Sequence, residues 1–111
     1  MTQTPTISTH VLDTGLGRPA RGVLVTLYRV NGSAFTRVGS AKTDDDGRVR
    51  TLLEGGLVAG KYRIDFDLAG YGGGQGFFER FSMDFVVSDI GRSYHVPLIL
   101  SSHSGITYLG S

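Results

Sequence analysis

The chain has 111 residues, enough for one domain with a single two-layer core and too few for two domains. Eleven Lys and Arg stand against ten Asp and Glu, and the net charge of +1 without any block of like charge argues against nucleic-acid and membrane-surface partners. The absence of cysteine excludes disulfides, thiol nucleophiles and cysteine-bound zinc.

The first residues, Met1-Thr2-Gln3-Thr4-Pro5-Thr6, have neither the basic start nor the apolar run of a signal peptide. No stretch approaches the roughly 18 apolar residues of a membrane span. We therefore expect a cytoplasmic protein in which residues 1–6 form a disordered tail and residues 7–111 form the domain.

Short alternating segments separated by turn residues predict an all-β domain. Most of the seventeen glycines lie between apolar runs, and no segment sustains the 3.6-residue apolar period of a long helix. In chain order, strands are predicted over residues 8–13, 23–30, 35–42, 48–53, 61–68, 81–87, 93–101 and 107–108. Eight short strands with turns between them favour a two-sheet antiparallel β-sandwich.

Local patterns predict which side chains face the core. Val23, Val25 and Leu27 share one face of the second strand. In residues 61–68 the apolar members of the alternation, Tyr62, Ile64, Phe66 and Leu68, are expected to face in, and the charged members, Lys61, Arg63, Asp65 and Asp67, to face out.

Turn residues divide these strands. Asn31-Gly32 is a tight-turn pair, and residues 43–48 form an acidic turn that places Arg48 at the start of the next strand. Residues 15–20 begin like a Gly-x-Gly phosphate motif, but a third glycine and a following helix are missing. Residues 69–76 contain five glycines, so we expect a mobile segment there.

The late run 93–101 contains both a histidine and a proline within an apolar strand pattern. Proline cannot donate to a sheet ladder, so Pro97 predicts a sheet edge or a bulge. His95 can then turn outward, although a histidine in this position also fits a hydrogen-bonded packing residue.

His10, Arg48 and His95 are the candidate functional residues. A stable metal site needs three or four protein ligands, and no further histidine or carboxylate has suitable spacing, so we predict no metal and no cofactor. A neutral imidazole can take a proton from water while a fixed cation stabilises charge on a carbonyl oxygen. The set therefore suits hydrolysis of an amide-like carbon without a covalent intermediate.

Four segments resemble the 5-hydroxyisourate hydrolase family, the transthyretin-like proteins of urate breakdown. They are Ser8 to Asp13, Asp46-Gly47-Arg48, Tyr94-His95-Val96-Pro97-Leu98 and Tyr108-Leu109-Gly110-Ser111. The similarity also includes residues 17–20 and 60–62, and so runs over nearly the whole chain.

The resemblance implies a transthyretin-like (prealbumin-like) sandwich that forms a homotetramer, a dimer of dimers with its sites at the dimer–dimer interface. It implies a small-molecule substrate, 5-hydroxyisourate, whose ring is opened by water. His10, Arg48 and His95 match the family's catalytic residues, and Tyr108 and Ser111 match substrate-binding residues. Which histidine is the general base is left open.

The chain departs from the family pattern around the site. The family usually ends Tyr-Arg-Gly-Ser, and Leu109 replaces that arginine. Ser93 stands where another histidine is common, and the Gly-rich segment replaces a short helix. Two alternatives follow: an enzyme for a different cyclic amide or imine in a specialised biosynthetic pathway, and a non-catalytic small-molecule binding protein.

Overall fold

The computed structural model describes residues 4–71 and 76–111, and these residues form two packed sheets without a helix. No helix in the described part of the chain could therefore cross a bilayer. The strands found there are β1 (Ile7–Asp13), β2 (Arg18–Pro19), β3 (Leu24–Asn31), β4 (Ala34–Lys42), β5 (Arg48–Val49), β6 (Gly60–Asp67), β7 (Arg80–Val87), β8 (Tyr94–His95), β9 (Leu98–Leu100) and β10 (Gly105–Thr107).

The first sheet is built around β1. Along one edge β1 pairs antiparallel with β2 and β5, and along the other it pairs parallel with β8 and β9. β10 continues this sheet beyond β9. The second sheet is antiparallel in the order β4-β3-β6-β7. The all-β sandwich prediction is confirmed, with a parallel pairing at β1 that the sequence did not predict.

The core lies between the two sheets and is formed by one side of each strand. Val23, Val25 and Leu27 are fully buried, as the alternation predicts, and so are Tyr62 and Ile64 across the β3–β6 pair. The other buried hydrophobic residues are Ile7, Val11, Ala20, Val30, Val49, Leu52, Phe66, Leu68, Val87, Tyr94, Val96, Leu98 and Leu100.

Asp65 is the exception to the predicted face pattern, because it is buried although its neighbours in the alternation are solvated. Its carboxylate accepts a hydrogen bond from the Ser82 hydroxyl (2.5 Å) and pairs with Arg80 at 3.1 Å. The cross-strand side chains of β7 therefore cover it on the outer face of the second sheet.

The run predicted as one strand over 93–101 is divided into β8 and β9. Ile7 lies opposite Tyr94 and Val11 opposite Leu98, so the register is the same on both sides of the gap and no residue is inserted. Pro97 has no N–H to donate, and the carbonyl of the preceding Val96 accepts a hydrogen bond from the Thr9 hydroxyl (2.6 Å). Proline thus interrupts this strand without a bulge.

Other predicted boundaries also move. The strand predicted over 48–53 ends at Val49, and the last strand is Gly105–Thr107 rather than 107–108. The two loop residues between β3 and β4 are Gly32 and Ser33, with Gly32 at φ +60°, so the turn lies one residue later than predicted.

Two further predictions lie partly beyond the described residues. Residues 72–75, in the segment expected to be mobile, and residues 1–3, in the expected tail, are not described. Thr6 lies next to the sheet: its N–H donates to Ser93 Oγ (3.0 Å), and its carbonyl accepts from Tyr94 N–H (2.8 Å). The disordered tail stays a prediction.

Candidate active site

Alternation along β1 places two polar side chains on the outer face of the first sheet. The inward residues of β1, Ile7 to Asp13 in steps of two, are buried, whereas Ser8 and His10 are half-buried. The pleat of a strand sends successive side chains to opposite faces. Ser8 and His10 therefore point away from the core.

The strand register brings Arg48 and His95 to the same two residues. His10 lies opposite Arg48 in the β1–β5 pair, and Ser8 lies opposite His95 in the β1–β8 pair. An open cavity of about 310 Å³ lies over this part of the sheet. Its lining residues are Ser8, Thr9, Arg48, Val49, Arg50 and His95.

His95 is held by a hydrogen bond and kept uncharged by its surroundings. Its Nδ1 lies 2.9 Å from Ser8 Oγ. Burial lowers the pKa of the His95 imidazole below its ordinary value, and the charges of Arg48 and His10 lower it further. The three predicted functional residues are therefore close enough to act on one another.

The geometry fixes which nitrogen of His10 carries a proton. Its Nε2 lies 2.8 Å from the backbone carbonyl oxygen of Asp46. A carbonyl oxygen can only accept, so Nε2–H donates, and a neutral His10 keeps its lone pair on Nδ1.

The turn before β5 positions both Arg48 and the partner of His10. Asp44 Oδ1 accepts from the N–H groups of Asp46 and Arg48, each at 2.9 Å. The Arg48 N–H is the main cause of the lowered pKa of the Asp44 carboxyl, which the Asp46 N–H and the charges of Arg50 and Arg48 also lower. An ionised Asp44 therefore holds the turn in shape.

Gly47 locks this turn against β1. It has φ +76°, and a Cβ at this position would collide with the carbonyl oxygen of Val11. Val11 N–H donates to the Gly47 carbonyl at 2.7 Å. The close approach explains why glycine occupies the middle of Asp46-Gly47-Arg48.

The C-terminal residues lie in two different places. Gly110 pairs with His95, its N–H donating to the His95 carbonyl at 2.7 Å, and Ser111 follows it. Tyr108 and Leu109 instead line an apolar cleft with Met83, Phe85, Val86, Tyr94 and Val96. Tyr108 is therefore not among the residues that line the His95 cavity.

Ser8 and Arg50 contribute to the cavity, and the sequence reasoning missed both. The signal was present in each case, because Ser8 is two residues from His10 and Arg50 is two residues from Arg48. Residues two apart on a strand share a face. Among the described residues, no group of three or more His, Asp or Glu side chains could hold a metal ion.

Comparison with known proteins places the whole chain in one family. The model of the HIUase/Transthyretin family matches residues 7–110. A relative from Rhizobium meliloti (strain 1021), 5-hydroxyisourate hydrolase 2, is 39% identical, and the match covers 100% of both chains.

Two solved structures show the same fold. The 5-hydroxyisourate hydrolase of Klebsiella pneumoniae superposes with a TM-score of 0.80 and 32% identity over 97% of this chain and 100% of that one. The transthyretin of Sparus aurata gives a TM-score of 0.86 and 27% identity over 97% of each chain. The sandwich is therefore similar both to an enzyme and to transthyretin.

Proposed function

The chain belongs to the HIUase/Transthyretin family, and from this premise we propose that it is a hydrolase that opens the ring of 5-hydroxyisourate, the product of urate oxidation. One observation carries the proposal: His10, Arg48 and His95 meet on one face of β1 in a chain that is 39% identical, end to end, to a 5-hydroxyisourate hydrolase. Water adds to a carbonyl carbon of the ring, and the adjacent C–N bond then breaks.

His95 acts as the general base. An imidazole accepts a proton only when it is neutral, and burial together with the charges of Arg48 and His10 lowers the pKa of His95. Ser8 fixes the ring orientation through Nδ1, which leaves Nε2 for the water. The imidazole takes a proton as the water oxygen bonds to carbon, and it returns the proton to the departing ring nitrogen.

Arg48 stabilises the oxyanion that develops in this step, and His10 binds the water or the ring. The Arg48 guanidinium has no carboxylate partner among the described residues, so its charge is available to the developing oxyanion. His10 uses Nε2–H to hold Asp46, and its Nδ1 accepts a hydrogen bond from water or from a ring N–H.

The test is the decay of 5-hydroxyisourate generated from urate in situ, followed by its absorbance with and without the protein. We expect His95→Ala and Arg48→Ala to lower kcat by about 10²- to 10⁴-fold, the range for loss of an acid–base or oxyanion-stabilising group. His103→Ala is the matched control, because His103 is exposed and contacts the Phe77 ring instead of the cavity. A folded protein that gives no acceleration would exclude this substrate.

We also propose a homotetramer, a dimer of dimers with the sites at the dimer–dimer interface. The outer face of the first sheet carries both the cavity and exposed apolar residues such as Ile106. β7 and β10 lie at the ends of their sheets and are paired along one side in the described part of the chain. Ser111 adjoins the His95 contact, and Tyr108 reaches a site through assembly, so that both bind substrate. A cytoplasmic location stays a prediction.

A second candidate is an enzyme for a different cyclic amide or imine. Leu109 favours it, because an apolar side chain lies in the Met83–Val86 cleft where a C-terminal arginine would offer five donors. Turnover of 5-hydroxyisourate that improves on Leu109→Arg would support a changed substrate. A pure binding protein would show no turnover, and it has no need of the three catalytic residues together.

A further inference from the structure

Arg50 lines the same cavity as Arg48 and His95. Val49, which precedes it, is buried opposite Thr9, and Arg50 follows the end of β5 in a bend, where it is exposed and lines the cavity together with Arg48. On the other side of β1, Ser8 lies opposite His95, and Arg50, Ser8 and His95 all line the cavity.

The positive charge of this cavity is not neutralised by the described residues that surround it. Its lining contains two arginines and a histidine and includes no carboxylate. Four other arginines form ion pairs, Arg21 with Asp45, Arg37 with Glu54, Arg63 with Asp84 and Arg80 with Asp65, whereas Arg48 and Arg50 form none with a described residue. Asp44, the carboxylate whose charge Arg50 affects, is engaged by backbone N–H groups of the turn.

We propose that Arg50 is a substrate-binding residue that selects a planar, carbonyl-rich ring carrying negative charge and holds it over Ser8 against His95. The inference rests on the proposed function and adds a residue to its site. A guanidinium donates in pairs to neighbouring oxygens in its own plane, which suits the edge of such a ring. Arg48 acts on the carbonyl that water attacks, and Arg50 binds the opposite part of the ring.

The kinetic test compares Arg50→Gln with wild type and with Arg37→Gln, which removes the same charge from an exposed site on the second sheet. We expect Arg50→Gln to raise KM for 5-hydroxyisourate about tenfold, the effect of one lost charge-assisted contact, while kcat changes less than about twofold. High salt should reduce the difference in KM between Arg50→Gln and wild type, because the cavity is open to solvent and salt screens the charge of Arg50. A KM shift no larger than that of Arg37→Gln, or a fall in kcat alone, would overturn the proposal.

Binding of urate separates this proposal from the function on which it rests. Urate is a stable anionic ring of the same kind, and calorimetry measures its affinity without turnover. Weaker binding to Arg50→Gln than to wild type supports the role of Arg50 even if 5-hydroxyisourate is not hydrolysed. Equal affinity for the two proteins, or no binding to either, overturns it.

Discussion

His95 shows how the surroundings of one side chain set its chemistry. A free imidazole is about half protonated at pH 6.5, but burial, Arg48 and His10 all favour the neutral form in the folded chain. His95 should therefore remain a base at a pH where an ordinary histidine has become an acid.

The pH dependence follows from this shift. As pH falls through 6.5, the unfolded chain binds protons more readily than folded His95 does, so His95 contributes a loss of stability on the acid side, and the loss of kcat/KM that its protonation causes should come at a lower pH than for an ordinary histidine. Imidazole NMR of the folded protein should show a His95 midpoint below 6.5. Arg48→Gln should raise that midpoint, since it removes one of the positive charges that lower the pKa of His95. A midpoint at or above 6.5 in wild type would contradict the assignment of His95 as the neutral base.

Gly110 is a second residue whose effect should appear at His95. A Cβ at position 110 would stand 2.7 Å from His95 Cδ2, so Gly110→Ala must displace the imidazole. We expect kcat to fall by about tenfold or more, since misplacement of about 1 Å can cost 10²-fold. Thermal stability should change little because Gly110 forms only an isolated bridge with His95, outside the strands.

Gly55→Ala is the control for that change, since a Cβ at position 55 meets nothing within 4 Å. Kinetics and a melting curve of both variants separate catalysis from folding. Unchanged kcat in Gly110→Ala would show that the C-terminus does not position His95.

At the scale of strands and turns, the local sequence pattern predicted the strands and their buried faces better than it predicted which strands pair. Alternation identified β1, β3, β6 and β7 and the inward faces of β3 and β6, because apolar and polar residues alternate along a half-buried strand. The parallel pairing of β1 with β8 and β9 joins residues 87 apart along the chain, and no local pattern encodes it. The burial of Asp65 depends on Arg80 and Ser82 of another strand.

The same distinction applies to the site. The resemblance identified His10, Arg48 and His95, which the structure brings together. Ser8 joins them through its cross-strand pairing with His95, and Arg50 joins them through the bend that follows β5. Tyr108 has an apolar environment in its own chain because the residues after β10 line a cleft together with Met83, Phe85 and Val86 of β7. Only the pairing of distant strands determines such neighbours.

The turn at Gly47 gives a prediction at this scale. Gly47→Ala combines positive φ with a collision at the Val11 carbonyl, and we expect it to lower the free energy of unfolding by about 1–3 kcal/mol and to displace Arg48. Gly17→Ala measures the cost of the positive φ alone, because Gly17 has φ +70° and a Cβ added there would meet nothing within 4 Å. Denaturant unfolding of both variants measures the difference. Equal losses would mean that the contact with Val11 has no energetic effect.

For the whole molecule, the position of the cavity predicts how activity depends on assembly. The proposed catalytic residues lie on the outer face of one sheet, and in the proposed tetramer a second copy would close the cavity and exclude water. Ile106 lies on the same sheet, 59% exposed, opposite Ile99 of β9. An apolar side chain so exposed beside a polar cavity is expected to pack against another copy.

Ile106→Asp should therefore dissociate the proposed tetramer and reduce turnover, because burying an unpaired carboxylate between copies costs several kcal/mol. Ile90→Asp is the matched control: Ile90 is 55% exposed in the loop between β7 and β8, and the same substitution there should leave mass and turnover unchanged. Sedimentation and the decay of 5-hydroxyisourate are measured on the same samples over a dilution series. Loss of turnover in step with loss of tetramer would place the working site between copies, whereas full turnover by a monomeric Ile106→Asp chain would show that one sandwich suffices.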